Sequence, residues 1–218
     1  MYSKYAMDTQ VSTSHYFQRK YSTLERFISY FYQVDLLRDL GGKKVLFIGV
    51  GDGIVSSYLE DRCGVDIVTY DFDAGLHPDI VGDVRNMPFK EEEFDAIALF
   101  EVLEHIPFED LPKVIDDLHK ISKQTVFVSV PFRHTALELT FKFPFIRSLL
   151  KRDLIRFNLS LPLIFPGFES SGQHYWEIDA FKFNIKKVRA VFEKKFKVIK
   201  EKSPILYSYQ KFFVLEKL

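Results

Sequence analysis

Apolar side chains recur at helical spacing between residues 21 and 40, at Leu24, Phe27, Ile28, Phe31, Val34 and Leu37, and Gly41-Gly42 follows where a helix ends most easily. The spacing predicts a leading helix. Residues 44–48 form a short apolar run that passes directly into Gly49-Val50-Gly51-Asp52-Gly53 and then into a helical pattern through Tyr58 and Leu59. That succession predicts a strand, a glycine loop and a helix. Apolar runs at 65–70, 94–100 and 125–130 predict three further strands, with a helix over 109–121 before the last of them. Strands alternating with helices imply right-handed crossovers and a parallel sheet covered on both faces, an α/β fold.

After Pro131 the rhythm breaks. Residues 132–178 hold aromatic, basic and proline-containing stretches, such as Phe141-Lys142-Phe143-Pro144-Phe145 and Leu161-Pro162-Leu163-Ile164-Phe165-Pro166, and read as an inserted cap rather than part of the sheet. Order resumes with a helix over 185–195 and two strands, near 196–201 and 207–215, pairing antiparallel through a turn at Ser203-Pro204.

Thirty Lys and Arg balance thirty Asp and Glu, so no global field draws the chain to nucleic acid or to an anionic membrane. The charge is unevenly spread. Residues 81–118 carry eleven acids against three bases, and residues 182–217 eleven bases against three acids, which solvated helix faces explain. One cysteine, Cys63, allows no internal disulfide and is too few for a thiolate zinc site, and no metal site is expected. The polar residues 1–14 lack the apolar core of a secretion signal, and no window reaches the roughly 18 uninterrupted apolar residues of a membrane span. A soluble, cytoplasmic protein is expected. The 23 phenylalanines fit a large core or an aromatic pocket.

The glycine loop is where chemistry enters, because a strand turning sharply into a helix lets a ligand approach the backbone at the helix N-terminus. A dinucleotide fingerprint would place its third glycine at position 54, where Ile54 stands, with Gly53 one residue early. The spacing favours a nucleoside over a pyrophosphate ligand. Asp71 closes the second strand at the carboxyl edge of the sheet, where a carboxylate can accept from both hydroxyls of a ribose or serve as a turn cap. In Gly82-Asp83-Val84-Arg85-Asn86-Met87-Pro88-Phe89 a second carboxylate, Asp83, can accept from an adenine amino group while the Val84 N–H donates to the ring.

With Phe94-Asp95-Ala96 and Phe100-Glu101-Val102-Leu103-Glu104-His105-Ile106-Pro107 following in order, the chain resembles the class I S-adenosylmethionine-dependent methyltransferases over residues 43–131. The resemblance implies a Rossmann-like sheet of seven strands, mostly parallel with an antiparallel last strand, with S-adenosylmethionine over the glycine loop. It implies Gly49, Gly51 and Gly53 against the methionine portion, Asp71 on the ribose, Asp83 and Val84 on the adenine, and Phe100 near the sulfonium. The string Gly172-Gln173-His174-Tyr175-Trp176-Glu177-Ile178 and the ending Lys211-Phe212-Phe213-Val214-Leu215 resemble more loosely a bacterial and archaeal branch of small methyltransferases. On this reading the chain is one domain: an N-terminal helical segment (1–41), a cofactor-binding core (42–131), the cap (132–178) and a C-terminal helix and hairpin (179–218).

One departure stands out. Members of the family commonly carry an acid two residues before the first glycine, where it helps hold the ammonium of the methionine end, and here Phe47 occupies that place. Asp52 is a substitute within the loop, or a helix-start residue. Methyl transfer from a sulfonium is an in-line displacement, so positioning is the main requirement, and a hydroxyl or ammonium acceptor also needs a base. His105, His174 and Glu104 are the candidate catalytic residues, with Glu101 and Glu177 beside them; His174 adjoins Tyr175 and Trp176, able to stack a ring or a methyl-bearing cation.

The acceptor is expected to be a small molecule, a glycan or a lipid-linked molecule, methylated on oxygen or nitrogen. Residues 132–158 carry six bases and two acids interleaved with aromatic residues, compatible with an anionic acceptor or interfacial contact and equally with an amphipathic helix packing on its own domain. Three alternatives compete: a non-catalytic adenosyl-ligand-binding module, for which Phe47 speaks; an NAD-dependent oxidoreductase, opposed by Ile54; and a nucleic-acid methylase, opposed by neutral charge and by Glu101-Val102-Leu103 after the strand.

Overall fold

The computed structural model describes residues 13–141, 155–161, 174–179 and 182–218. Helix α1 spans Leu24–Leu37 rather than 21–40, because Thr23 takes an extended backbone and its side chain accepts from the Arg26 N–H, an N-cap that starts the helix there. Strand β1 (Lys44–Ile48), helix α2 (Ile54–Cys63), strands β2 (Asp66–Asp71) and β3 (Ile80–Val81), and strand β4 (Phe94–Phe100) follow. Then come helix α3 (Leu111–Ile121) and strand β5 (Ser122–Pro131), a ribbon of β6 (Thr135–Phe141) and β7 (Ile155–Leu161), helix α4 (Ile185–Phe192), and strands β8 (Phe196–Lys202) and β9 (Gln210–Lys217).

Seven strands form one sheet in the order β3-β2-β1-β4-β5-β9-β8. Strands β1 to β5 pair parallel, and β9 runs antiparallel to both β5 and β8. The Rossmann-like expectation with an antiparallel last strand is met. The two-residue β3 has no periodic signal in the sequence, being too short to show one. β9 begins three residues later than the apolar run suggested, since residues 203–209 are spent on the connection from β8.

Alternation along the strands sorts the core onto the two faces. Leu46 and Ile48 of β1 join one cluster with α3 and α4, which contribute Leu111, Val114, Ile115, Leu118, Val188 and Phe192. Val45 and Phe47 point to the other, where Tyr30, Tyr32 and Leu37 of α1 and Val55 and Leu59 of α2 pack. Because β1 lies between β2 and β4, chain leaves its carboxyl end in opposite directions, opening the crevice in which α/β sheets bind ligands.

Residues 132–178 stand outside the main sheet among the described residues: β6 and β7 pair only with each other. Residues 135–141 and 155–161 form a strand ribbon; residues 142–154 of the basic, aromatic stretch 132–158, where the amphipathic-helix alternative falls, and residues 162–166 of the second proline-containing stretch lie outside the described residues. No helix among the described residues is long and apolar enough to cross a membrane.

Candidate active site

The loop after β1 is held by two carboxyl-edge contacts. The Gly49 N–H donates to the Tyr70 carbonyl at 2.9 Å, and the Val50 N–H to Asp71 Oδ2 at 2.8 Å. Asp71 closes β2, is 7% exposed, and also accepts from the Asp73 N–H at 2.9 Å. Burial pushes its carboxyl above the usual range while these N–H groups oppose the shift. Gly49 has φ +86° and an added Cβ would stand 2.6 Å from Val102 Cγ2, so only glycine fits. Gly53 is the N-cap of α2 at φ 75°.

A cavity of about 410 Å³ opens above this loop. Gly49, Gly51, Asp71, Val84 and Phe100 line it, so five of the residues predicted to contact a cofactor are gathered there. Gly53 and Asp83 are not among its lining. Gly53 turns the chain into α2, and the Asp83 carboxylate is taken by the Arg85 guanidinium, with Nε at 2.9 Å and Nη2 at 2.6 Å, and by the Arg85 N–H at 2.8 Å. A guanidinium two residues away outcompetes open solvent for that carboxylate. Phe47 is 3% exposed, lines the cavity and meets the Phe100 ring edge-on at 6.0 Å. Asp52 also lines the cavity, accepting from Tyr30 Oη at 2.7 Å and from the Ile54 N–H at 3.2 Å.

The turn after β4 forms the polar side of the same cavity, with Glu101, Glu104, His105 and, from the cap, His174. Glu101 carries φ +56°, a conformation costly for a residue with a Cβ, and accepts from Ser129 Oγ at 2.8 Å. Glu104 is fully buried, and neither of its carboxylate oxygens has a hydrogen-bond partner. Burial first, and then the charges of Glu101 and Glu177, push its carboxyl well above the carboxylate range. The Tyr175 N–H donates to the Glu104 carbonyl at 2.8 Å, which brings His174 to His105 with ring centroids 4.9 Å apart and planes at 80°. His174 Nδ1 lies 2.7 Å from Glu177 Oε1, and Tyr209 Oη donates to that same oxygen at 2.8 Å. These hydrogen bonds hold Glu177 below the usual carboxylate range against its burial. Trp176 is no stacking platform: it is 2% exposed, donates from Nε1 to the Ile106 carbonyl at 3.2 Å and packs edge-on against Phe108. Tyr175 is 46% exposed and does not line the cavity.

A methyltransferase-domain family model matches residues 16–182. The chain belongs to the methyltransferase-domain family. No curated protein sequence matches it. Among solved structures, the PH0226 protein of Pyrococcus horikoshii OT3 is similar at 15% identity and TM-score 0.60, over 95% of this chain and 100% of that one. The magnesium protoporphyrin IX methyltransferase of Synechocystis PCC 6803, with S-adenosylhomocysteine bound, is similar at 16% identity and TM-score 0.56, over 89% and 83%. The 1,6-didemethyltoxoflavin-N1-methyltransferase of Burkholderia thailandensis, bound to its substrate and S-adenosylhomocysteine, is similar at 11% identity and TM-score 0.58, over 94% and 84%. At these identities the likeness is one of fold.

The family member's cavity is also walled by residues that sequence reasoning missed. Tyr16, Tyr21, Arg26 and Tyr30 reach it from the N-terminal segment and α1, and Tyr207 and Tyr209 from the β8–β9 connection. The Arg26 guanidinium lies 4.2 Å over the Tyr21 ring. Burial pushes the Tyr16 hydroxyl up to about 12 and raises Tyr30 and Tyr209 further, so all three are neutral donors. A hint was present in the sequence: tyrosines crowd 16–32 and 207–209, unlike the phenylalanine-rich core stretches.

Proposed function

We propose that this chain transfers a methyl group from S-adenosylmethionine to the oxygen or nitrogen of a small acceptor, or of the small reacting end of a glycan- or lipid-linked one. The observation that carries this reading is that a single cavity joins the glycine loop and Asp71 to the polar cluster after β4. The lining fits the cofactor. A Cβ at Gly49 would distort the loop that exposes the backbone, and Asp71 retains acceptor capacity beyond the N–H groups of Val50 and Asp73 for ribose hydroxyls. Val84, 4% exposed, offers an apolar wall for a purine. Two structurally similar methyltransferases hold S-adenosylhomocysteine.

S-adenosylmethionine, when bound, supplies a methyl group on a sulfonium, an electrophile that needs no covalent enzyme intermediate. The chain's own task is positioning, an effect worth roughly 7–11 kcal/mol. Phe100, 7% exposed, and Phe47 give that part of the cavity an apolar wall that excludes water. Glu104, His105 and His174 face the acceptor, and the Glu177 carboxylate fixes the His174 ring. The tyrosines of the N-terminal segment and of the β8–β9 connection bound the space left for the acceptor, which favours a compact reacting group.

Calorimetry with S-adenosylhomocysteine tests the reading. Binding of one equivalent, weakened at least about tenfold in Asp71→Ala, is expected, since loss of a charge-assisted contact is worth about 1.5–3 kcal/mol. Absence of binding in the wild type would overturn it. A second reading, an adenosyl-binding module without turnover, rests on Phe47 in the place of the usual acid; binding without any product across hydroxyl and amine acceptors favours that one.

A further inference from the structure

We infer that Glu104, His105 and His174 form a binding site for one divalent transition-metal cation, set in the wall of the cavity on its acceptor side. Each residue offers a ligand atom, and the three atoms lie within 4.8 Å of one another. A tetrahedral cation about 2.0–2.2 Å from each needs ligand atoms roughly 3.3–3.6 Å apart, so binding draws the three side chains together by up to about 1.5 Å. The ligand type is that of three-ligand metal centres with an open position, two imidazoles and a carboxylate.

Three features of the surroundings point to a cation rather than to incidental packing. First, the Glu104 carboxylate is fully buried and both its oxygens lack any hydrogen-bond donor, a state that buried polar groups in native proteins rarely keep. Second, the carboxylate of Glu177 can only accept, so at 2.7 Å the His174 Nδ1 carries the proton, which in the neutral imidazole makes Nε2 the ligand atom. A carboxylate behind a histidine in this way fixes the tautomer and ring of metal-bound histidines. Glu177 is itself held, by Tyr209 Oη at 2.8 Å and by Arg133 Nε at 3.5 Å. Third, the scaffold sets the rings: the Tyr175 N–H on the Glu104 carbonyl and the Trp176 Nε1 on the Ile106 carbonyl tie the cap segment 174–177 to the turn after β4.

Nitrogen and oxygen ligands without thiolate suit zinc, cobalt, iron or nickel. All three ligands line the cavity, so the cation's remaining positions open onto the acceptor space. An oxygen or nitrogen atom of the acceptor fills such a position, which narrows the acceptor class to molecules whose reacting group can ligate a cation; this deepens, and rests on, the methyl-transfer reading.

The test uses the full chain without an affinity tag, stripped by a chelator and titrated with cobalt(II) chloride, whose visible d–d absorption reports the ligand set. One equivalent, displaced by zinc chloride, is expected in the wild type and in His119→Gln. His174→Ala and Glu104→Gln are expected to weaken binding by more than about a hundredfold, and Glu177→Gln, which removes only the orienting partner, by about 10–100-fold. No cobalt band in the wild type, or an undiminished one in His174→Ala, overturns the site. Calorimetry of S-adenosylhomocysteine on the same metal-free samples verifies folding and reads the methyl-transfer assignment separately. A missing cobalt band with that binding intact therefore sinks the metal site alone.

Discussion

Replacing Gly49 with alanine probes the loop on which the site depends. Gly49 holds φ +86°, and the added Cβ would stand 2.6 Å from Val102 Cγ2. The left-handed backbone alone costs an L-residue about 1–2 kcal/mol. Driving a methyl group into a stiff β-branched neighbour adds about 1–3 kcal/mol. For a chain of this length a central total of about 3 kcal/mol lowers the melting midpoint by about 6–12 °C. A double-mutant cycle separates the two contributions. In a Val102→Ala background the methyl has room, so Gly49→Ala there retains only the backbone part, leaving a coupling of about 1–3 kcal/mol. Urea unfolding followed by circular dichroism measures all four corners. Equal costs in both backgrounds refute the Val102 contact as the constraint, and no cost in either refutes the left-handed loop itself.

Trp176→Ala is expected to destabilise the fold by about 3–5 kcal/mol, as large core truncations do, while S-adenosylhomocysteine affinity at low temperature stays within twofold of wild type; a selective loss of affinity in calorimetry would return Trp176 to the binding site. Tyr30→Phe removes the donor to Asp52 and is expected to cost about 1.5–3 kcal/mol, the worth of a hydrogen bond to a charged group, read as a shifted urea midpoint. Burial, with Lys217 and Lys195 nearby, holds the His119 imidazole below its ordinary 6.5. The unfolded chain therefore takes up that proton first as pH falls, and stability declines below 6.5 until the folded imidazole also titrates. Comparison of urea midpoints across that range is expected to give a shallower decline for His119→Gln than for wild type, and parallel curves would refute the shift.

Local patterns carried the fold. β1 and β4 stand where their apolar runs lie, at Lys44–Ile48 and Phe94–Phe100, because a strand buried on both faces is an uninterrupted apolar segment bounded by polar turns. The glycine loop was equally legible, since positive φ at Gly49 demands a residue without Cβ. α1 is shorter than its apolar stripe because the Thr23 cap, not hydrophobicity, decides where the first N–H groups are satisfied.

The amino-acid sequence by itself determined the order of the main-sheet strands other than β3 and of their helices, the glycine loop, and Asp71 at the end of β2, consequences of short-range periodicity and backbone sterics, while the placing of Phe100 at the site followed from the family resemblance. Only the tertiary structure decided which polar groups share an environment. Glu104 and His174 are 70 positions apart, and nothing in either neighbourhood says that one is sealed without a donor while the other reaches it through the Tyr175 N–H. The same holds for Trp176, packed under Phe108 rather than facing a ligand, for Asp83, bound by Arg85, and for the tyrosines that wall the cavity from both ends of the chain. Burial and partner choice follow from long-range packing, which a one-dimensional pattern does not encode, so the chemistry of the site was fixed only when the distant segments met.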